Sequence, residues 1–252
     1  MTGVSETDPV KKSNPDQDTL ILVPVYNEDA SIRELVVEIR RLYPELPVLV
    51  VDDGSRDDSA AEAQTGGAEV IRHPFNLGDG AARQTGFLYA LRAGYRFLVH
   101  LDGDRQHAPK EIAGFIDALR REEADLLVGS RFLGHCSYSL SPGRRFGMRL
   151  FSLICSLVIR QRITDPTSGF RGMNRRTLTV FTRGYYPQHF PDADVIISAH
   201  FRGLRIKEMP ITVSPTRSTS LHRGGTIFYY IYKMLLSTFV SCLRLKRDHI
   251  TF

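Results

Sequence analysis

The chain has 252 residues, 42% of them hydrophobic and 24% charged, with a formal net charge of +5. That length holds one large domain or two small ones around a substantial core, and the composition is that of a soluble globular protein. The small positive excess suits an anionic ligand or an anionic membrane face and requires no nucleic acid. Cys136, Cys155 and Cys242 form no CxxC pair and the eight histidines show no ligand spacing, which excludes a disulfide framework and a zinc site; the thiols read as buried or idle ones in a reducing compartment.

Residues 1–18 are polar, contain Pro9 and Pro15, and lack the apolar core of a signal peptide, so the expectation is a disordered leader. Strands and helices then alternate. Leu20–Val25 is an apolar run, Asp29–Leu42 has helical periodicity, Val48–Val51 is a strand, and a helix begins near Asp57. Glu69–Arg72 is short and extended, Gly80–Ala93 reads as a helix, Phe97–Leu101 as a strand, Pro109–Arg121 as a helix opened by proline, and Leu126–Val128 as a buried strand. Apolar strands alternating with helices predict an α/β fold with a mostly parallel sheet. The second half is less regular: a helix over Arg144–Ile159, a Gly/Pro-containing loop over Asp165–Arg171, a helix over Asp192–Phe201, an extended segment over Arg205–Val213, and a long tail helix from Thr226 ending in Arg244, Lys246 and Arg247. No stretch reaches the length and purity of a transmembrane helix.

The chemistry concentrates where strands end. Phe97-Leu-Val-His-Leu-Asp102-Gly-Asp104-Arg-Gln106-His107 gathers two carboxylates and a carboxamide into a small volume. Such a group repels itself unless a cation sits among the oxygens, and a hard divalent ion shared with phosphate oxygens is the natural occupant. Asp and Gly also build ordinary turns, the competing reading. A second strand ending in paired carboxylates, Val48-Leu-Val-Val-Asp52-Asp53-Gly-Ser55, favours the ion. In parallel sheets ligands sit beyond the carboxyl ends of the strands, so the two pairs are expected to share one crevice. No GxxxxGK[ST] and no strand-linked GxGxxG is present; Gly78-Asp-Gly80 reads as a helix cap more readily than as an anion contact.

Pro24-Val-Tyr-Asn-Glu28, Val51-Asp-Asp-Gly-Ser55, Asn76-Leu-Gly78, Asp102-Gly-Asp104, Gly129-Ser-Arg131 and Thr167-Ser-Gly-Phe-Arg171 occur in the order seen in family 2 glycosyltransferases. The resemblance spans roughly Leu20–Val213. Asp102-x-Asp104-x-Gln106-His107 and Asp165-Pro-Thr-Ser-Gly-Phe-Arg171 make the chain most similar to the branch with dolichyl-phosphate mannosyltransferase and bacterial polyprenyl-phosphate glycosyltransferases. It implies a GT-A fold over residues 19–215, with an acceptor loop and an amphipathic helix over 216–252. It also implies inverting transfer from a GDP- or UDP-sugar to a polyprenyl phosphate, with a saccharide or small-molecule hydroxyl as the alternative acceptor. By the same resemblance Pro24, Tyr26 and Glu28 line the nucleoside pocket, Asp53 and Asp52 contact base or ribose, and Asp104 and Gln106 hold Mg²⁺ or Mn²⁺ with Asp102 beside them. Asp192 and Asp194 stand at the family's acidic pair, as base for a hydroxyl acceptor or as plain helix-start acids. A lipid phosphate needs no strong base but does need cations, for which Arg131, Arg144, Arg145 and Arg217 are the candidates, beside Ser168 of the loop.

The chain departs from that branch after Arg217, where Ser218-Thr-Ser-Leu-His222-Arg223-Gly-Gly225 replaces the usual Gly-x-Ser-Lys stretch. Arg144–Arg162 and Thr226–Arg247 combine apolar faces with clustered basic residues, which suits an anionic membrane surface, a packed core face or a dimer interface. The expected location is the cytoplasm, or the periphery of the membrane's inner face. A non-catalytic nucleotide-sugar-binding protein of the same fold is the competing class. A sugar nucleotidyltransferase is disfavoured, because Pro24-Val-Tyr-Asn-Glu28 stands where its Gly-rich, Arg-containing loop belongs.

Overall fold

The computed structural model describes residues 18–134, 142–183, 186–187 and 191–213. The expected leader (apart from Asp18), Arg217 and the tail helix from Thr226 lie outside the described residues, as do the side chains of Arg144 and Arg145. The elements are β1 (Thr19–Val25), α1 (Asp29–Leu42), β2 (Val48–Asp52), α2 (Ser59–Thr65), β3 (Glu69–Arg72), α3 (Asp79–Ala93) and β4 (Phe97–His100). They continue with α4 (Ile112–Arg120), β5 (Leu126–Ser130), α5 (Pro142–Ile159), β6 (Arg171–Asn174), α6 (Arg175–Arg183), α7 (Ala193–Phe201) and β7 (Ile206–Pro210).

The seven strands form one sheet in the order β3-β2-β1-β4-β6-β5-β7. Every described pairing is parallel except those of β6, which runs antiparallel to both β4 and β5. The mostly parallel α/β fold therefore holds, with one strand and one helix, β6 and α6, that no pattern announces. Arg171-Gly-Met-Asn174 contains a single large apolar residue, so only its neighbours make it a strand. The expected helix at Pro109–Arg121 divides into a 3₁₀ turn over Pro109–Glu111 and α4.

Strand burial explains the continuous apolar runs. Alternate residues of β1 enter two cores: Leu20 and Leu22 pack with Phe87, Phe181 and Ile197 on the face carrying α3, α6 and α7. Ile21 and Val23 pack with Leu35, Ile39 and Phe115 on the face carrying α1 and α4. From β1 the chain moves outward through β2 to β3, then returns to the other side of β1 with β4. That reversal opens a crevice beyond the carboxyl ends of β1 and β4, the place where such sheets bind ligands. Cys155 is a free, buried thiol whose pKa burial pushes up to about 12, as expected of an idle cysteine.

Candidate functional site

Two carboxylate pairs flank the crevice, and their surroundings differ. At the end of β2, Asp52 is fully buried; its Oδ1 accepts from the Ser55 amide at 3.0 Å and Arg72 Nε lies 3.0 Å from its Oδ2. Asp53 is buried as well, and accepts from the Leu77 amide at 2.9 Å, the Gly78 amide at 2.8 Å and His73 Nδ1 at 2.7 Å. Gly54 between Asp53 and Ser55 has φ +72°, and a Cβ there would lie 2.6 Å from the Phe75 carbonyl carbon. The second loop is laced to the first: the Asn27 amide donates to Ser55 Oγ at 2.9 Å and the Glu28 amide to Ser59 Oγ at 2.7 Å. The result is an open cavity of about 510 Å³ lined by Tyr26, Arg56, Arg72, His73, Phe75 and Asn76. Tyr26 and Phe75 are exposed there, so two aromatic rings and two guanidinium groups border a space of ligand size. Asp52 and Asp53, expected to touch the base or ribose, hold the loops that shape this cavity, and Pro24 is a buried member of β1.

Beyond β4 the second pair is less committed. Asp102 is about one-third exposed; Arg83 Nη2 donates to it at 3.1 Å and His107 Nε2 lies 3.7 Å away. Burial opposes ionisation of Asp102, but contact with His107 and the charge of Arg83 hold its pKa well below the usual carboxylate range. Asp104 moves the other way: burial raises its pKa, and the charge on Asp102 raises it further. Glu28 reaches the same region from the end of β1. Burial raises its pKa, the Ser31 hydroxyl pulls it back, and the charges of Asp104, Asp57 and Asp102 push it up again. The Gln106 amide donates to Asp104 Oδ1 at 3.0 Å, which folds the Asp104–Gln106 turn onto itself. Among the described residues no three His, Cys, Asp or Glu side chains converge into a metal cage. The protein alone thus offers a partial, self-repelling set of oxygens.

The loop of residues 165–170 closes over this pair. Gly169 touches Asp102 so closely that a Cβ would sit 1.9 Å from its Oδ2, so no other residue fits without moving the carboxylate. Arg131, expected to meet an acceptor, forms a buried two-point ion pair with Asp165 at 2.6 and 2.7 Å and also donates to Thr167 Oγ1 at 2.9 Å. Ser168 is buried, and its Oγ accepts from the Phe170 amide at 3.2 Å. Both build the loop. Asp192 is the N-cap residue of α7 and Asp194 is buried in its first turn, where Oδ1 accepts from the Val195 amide at 2.9 Å. Arg83 and Arg171 were not among the expected site residues. Arg83 announces itself only by standing four residues after Asp79 on a helix start rich in small residues; Asp79 Oδ2 lies 3.0 Å from its Nη2.

Comparison with known proteins agrees with this geometry. Residues 20–181 match the family model "Glycosyl transferase family 2". The polyprenol monophosphomannose synthase of Mycolicibacterium smegmatis is 33% identical over 211 residues, covering 79% of this chain and 78% of that protein. The undecaprenyl-phosphate mannosyltransferase of Micrococcus luteus is 32% identical over 221 residues, covering 82% of this chain and 88% of that protein. Among solved structures, glucosyl-3-phosphoglycerate synthase of Mycobacterium tuberculosis, crystallised with Mn²⁺, UDP and glucosyl-3-phosphoglycerate, superposes with a TM-score of 0.69 at 22% identity. The match covers 88% of this chain and 80% of that one. With the sheet order, the carboxylate-lined crevice and these matches in agreement, the chain belongs to glycosyl transferase family 2, on the polyprenyl-phosphate branch, and is a glycosyltransferase of the GT-A fold.

Proposed function

We propose that this glycosyltransferase moves a sugar from a nucleotide-sugar donor to a polyprenyl phosphate, with inversion at the sugar and dependence on Mg²⁺ or Mn²⁺. The observation that carries the reading is the crowding of Glu28, Asp102 and Asp104 beyond the carboxyl ends of β1 and β4, in a sheet whose next strand, β2, leads into a cavity bordered by Tyr26 and Phe75. Asp104 and Gln106, with Asp102 beside them, would hold the ion. The fit is chemical, since Glu28 and Asp104 are both pushed toward neutrality by burial and, beyond that, by neighbouring carboxylates, and a hard cation relieves that repulsion. When bound, such an ion supplies Lewis-acid stabilisation of the leaving diphosphate.

The chain's own residues do the rest. Tyr26 and Phe75 offer faces for the base, and Arg56 and Arg72 border the space beside them. Arg83 keeps Asp102 ionised and aimed. A lipid phosphate arrives already anionic, so Asp192 and Asp194 take no proton from it and serve to orient the reacting groups at that end of the crevice; with a hydroxyl acceptor one of them would also act as the base. The two named relatives, one a polyprenol monophosphomannose synthase and the other an undecaprenyl-phosphate mannosyltransferase, support the phosphate acceptor.

The surface of α5 suits the membrane where such an acceptor resides. Leu153 and Leu157 are 57% and 69% exposed, and Arg149, Arg160 and Arg162 are exposed around them. No acidic residue occurs from Pro142 to Arg162. An apolar stripe with a purely basic rim matches an anionic bilayer surface. No helix among the described residues is long and apolar enough to cross a membrane. The test is transfer of radiolabelled sugar from GDP- and UDP-sugars, with Mn²⁺, to polyprenyl phosphate in anionic vesicles. Label in the lipid phase is the expected result. Label only in a soluble saccharide would replace the acceptor, and no transfer with any donor would favour a binding protein.

A further inference from the structure

Arg171 is the largest fully buried side chain among the described residues, at 0% exposure. Its Nε donates to the Ser168 carbonyl at 3.1 Å, and its Nη2 donates to the Pro166 and Asp192 carbonyls, each at 3.4 Å. One guanidinium thus joins the loop that presses on Asp102 to the N-cap of α7, which carries the acidic pair. No carboxylate lies within ion-pairing distance of Arg171 among the described residues, and its Nη1 has no hydrogen-bond partner. His100, directly opposite on β4, offers no counter-charge: burial, then the charges of Arg83 and Arg171, hold its pKa well below the ordinary imidazole range. A buried, unpaired cation is expensive, and an apolar side chain of similar volume would serve packing better. A purely architectural role does not account for it.

We propose that Arg171 is a positioning residue for catalysis, setting the first turn of α7, with Asp192 and Asp194, against the Asp102 end of the crevice. The inference rests on the transferase reading above. Lysine in its place keeps the charge but cannot bond both segments at once, because one ammonium lacks the planar fork. In the full-length chain, Arg171→Lys is expected to lose about 100-fold in kcat with donor KM changed less than about twofold, the signature of misplaced groups rather than lost binding. Stabilisation of that variant by UDP or GDP with Mn²⁺ should match wild type. In its crystal structure Asp192 and Asp194 should be displaced relative to β4, while the Arg83–Asp102 contact stays. Wild-type kcat, a kcat loss paralleled by weaker nucleotide binding, or an α7 terminus in its original place would each overturn the inference. Should Arg171→Lys fail to fold, Arg171→Met takes its place with the same readouts, since it fills the volume without charge. Asp104→Asn run in parallel separates the two claims: turnover retained there defeats the transferase reading, whatever Arg171 does.

Discussion

The two carboxylate-ended strands look alike in sequence and behave differently in the fold. Asp52 and Asp53 are buried and between them meet two side chains and three backbone amides. Asp102 and Asp104 are partly exposed, electrostatically opposed to each other, and joined by Glu28 from the N-cap of α1. The first pair is satisfied by the protein and fixes the walls of a cavity. In the second group burial and mutual repulsion raise the pKa values of Asp104 and Glu28, a tension that a cation would relieve. Paired acids at a strand end therefore point to a ligand site where burial and like charge set them against one another.

Exchanging side chains at the two pairs should separate these roles. Asp104→Ala removes a candidate ligand from a half-buried position and is expected to lower metal-dependent turnover by about 100- to 1,000-fold, with the melting temperature nearly unchanged. Steady-state kinetics and calorimetry on one preparation read both quantities. Gly169→Ala puts a methyl group against Asp102 and should cost about 10- to 100-fold in kcat, since small displacements of a catalytic carboxylate suffice. Asp53→Ala should act in the opposite sense. It strands the His73 ring and the Leu77 and Gly78 amides, so about 3 kcal/mol of stability is expected to go, visible in denaturant titration, along with nucleotide binding.

A carboxylate remote from the crevice extends the comparison to the smallest effect. Asp125 accepts from the Arg205 amide at 2.8 Å and from Asn174 Nδ2 at 2.8 Å, with Arg176 nearby at 3.3 Å. Burial raises its pKa, but the bonds from Arg205 and Asn174 outweigh burial and leave it below the ordinary value of 3.8. A group whose folded pKa is depressed stabilises above the unfolded value and loses that contribution as pH falls through the folded one. Asp125→Asn should therefore be less stable than wild type by about 1 kcal/mol near pH 7, and the gap should close below about pH 4. A gap that stayed constant across that range would mean that ionisation of Asp125 contributes nothing.

Much of this was legible in the residues, and what was not shares a physical cause. The alternation of apolar runs and amphipathic segments announces β1 to β5 and α1 to α4, because those signals are local. β6 is four residues with one large apolar side chain, and exists because β4 and β5 flank it. The Asp102-x-Asp104 turn is visible as a charge problem that local sequence cannot solve. Arg131 reads as an available cation until Asp165, 34 residues on, is seen to engage it at two points. Asp53 depends on distant partners in the same way, since the amides it accepts from belong to Leu77 and Gly78. Contacts between distant segments decide which polar groups remain for a ligand, and spacing along the chain does not record them.

The measurement that tests the account most directly is the thermal shift of wild type and of Asp104→Ala with UDP and GDP, each with and without Mn²⁺. A ligand that binds the native state raises its apparent stability. The account predicts that one nucleotide stabilises wild type strongly only when Mn²⁺ is present, and that Asp104→Ala loses the metal-dependent part. Equal, metal-dependent stabilisation of both proteins would contradict the division of labour between the two carboxylate pairs.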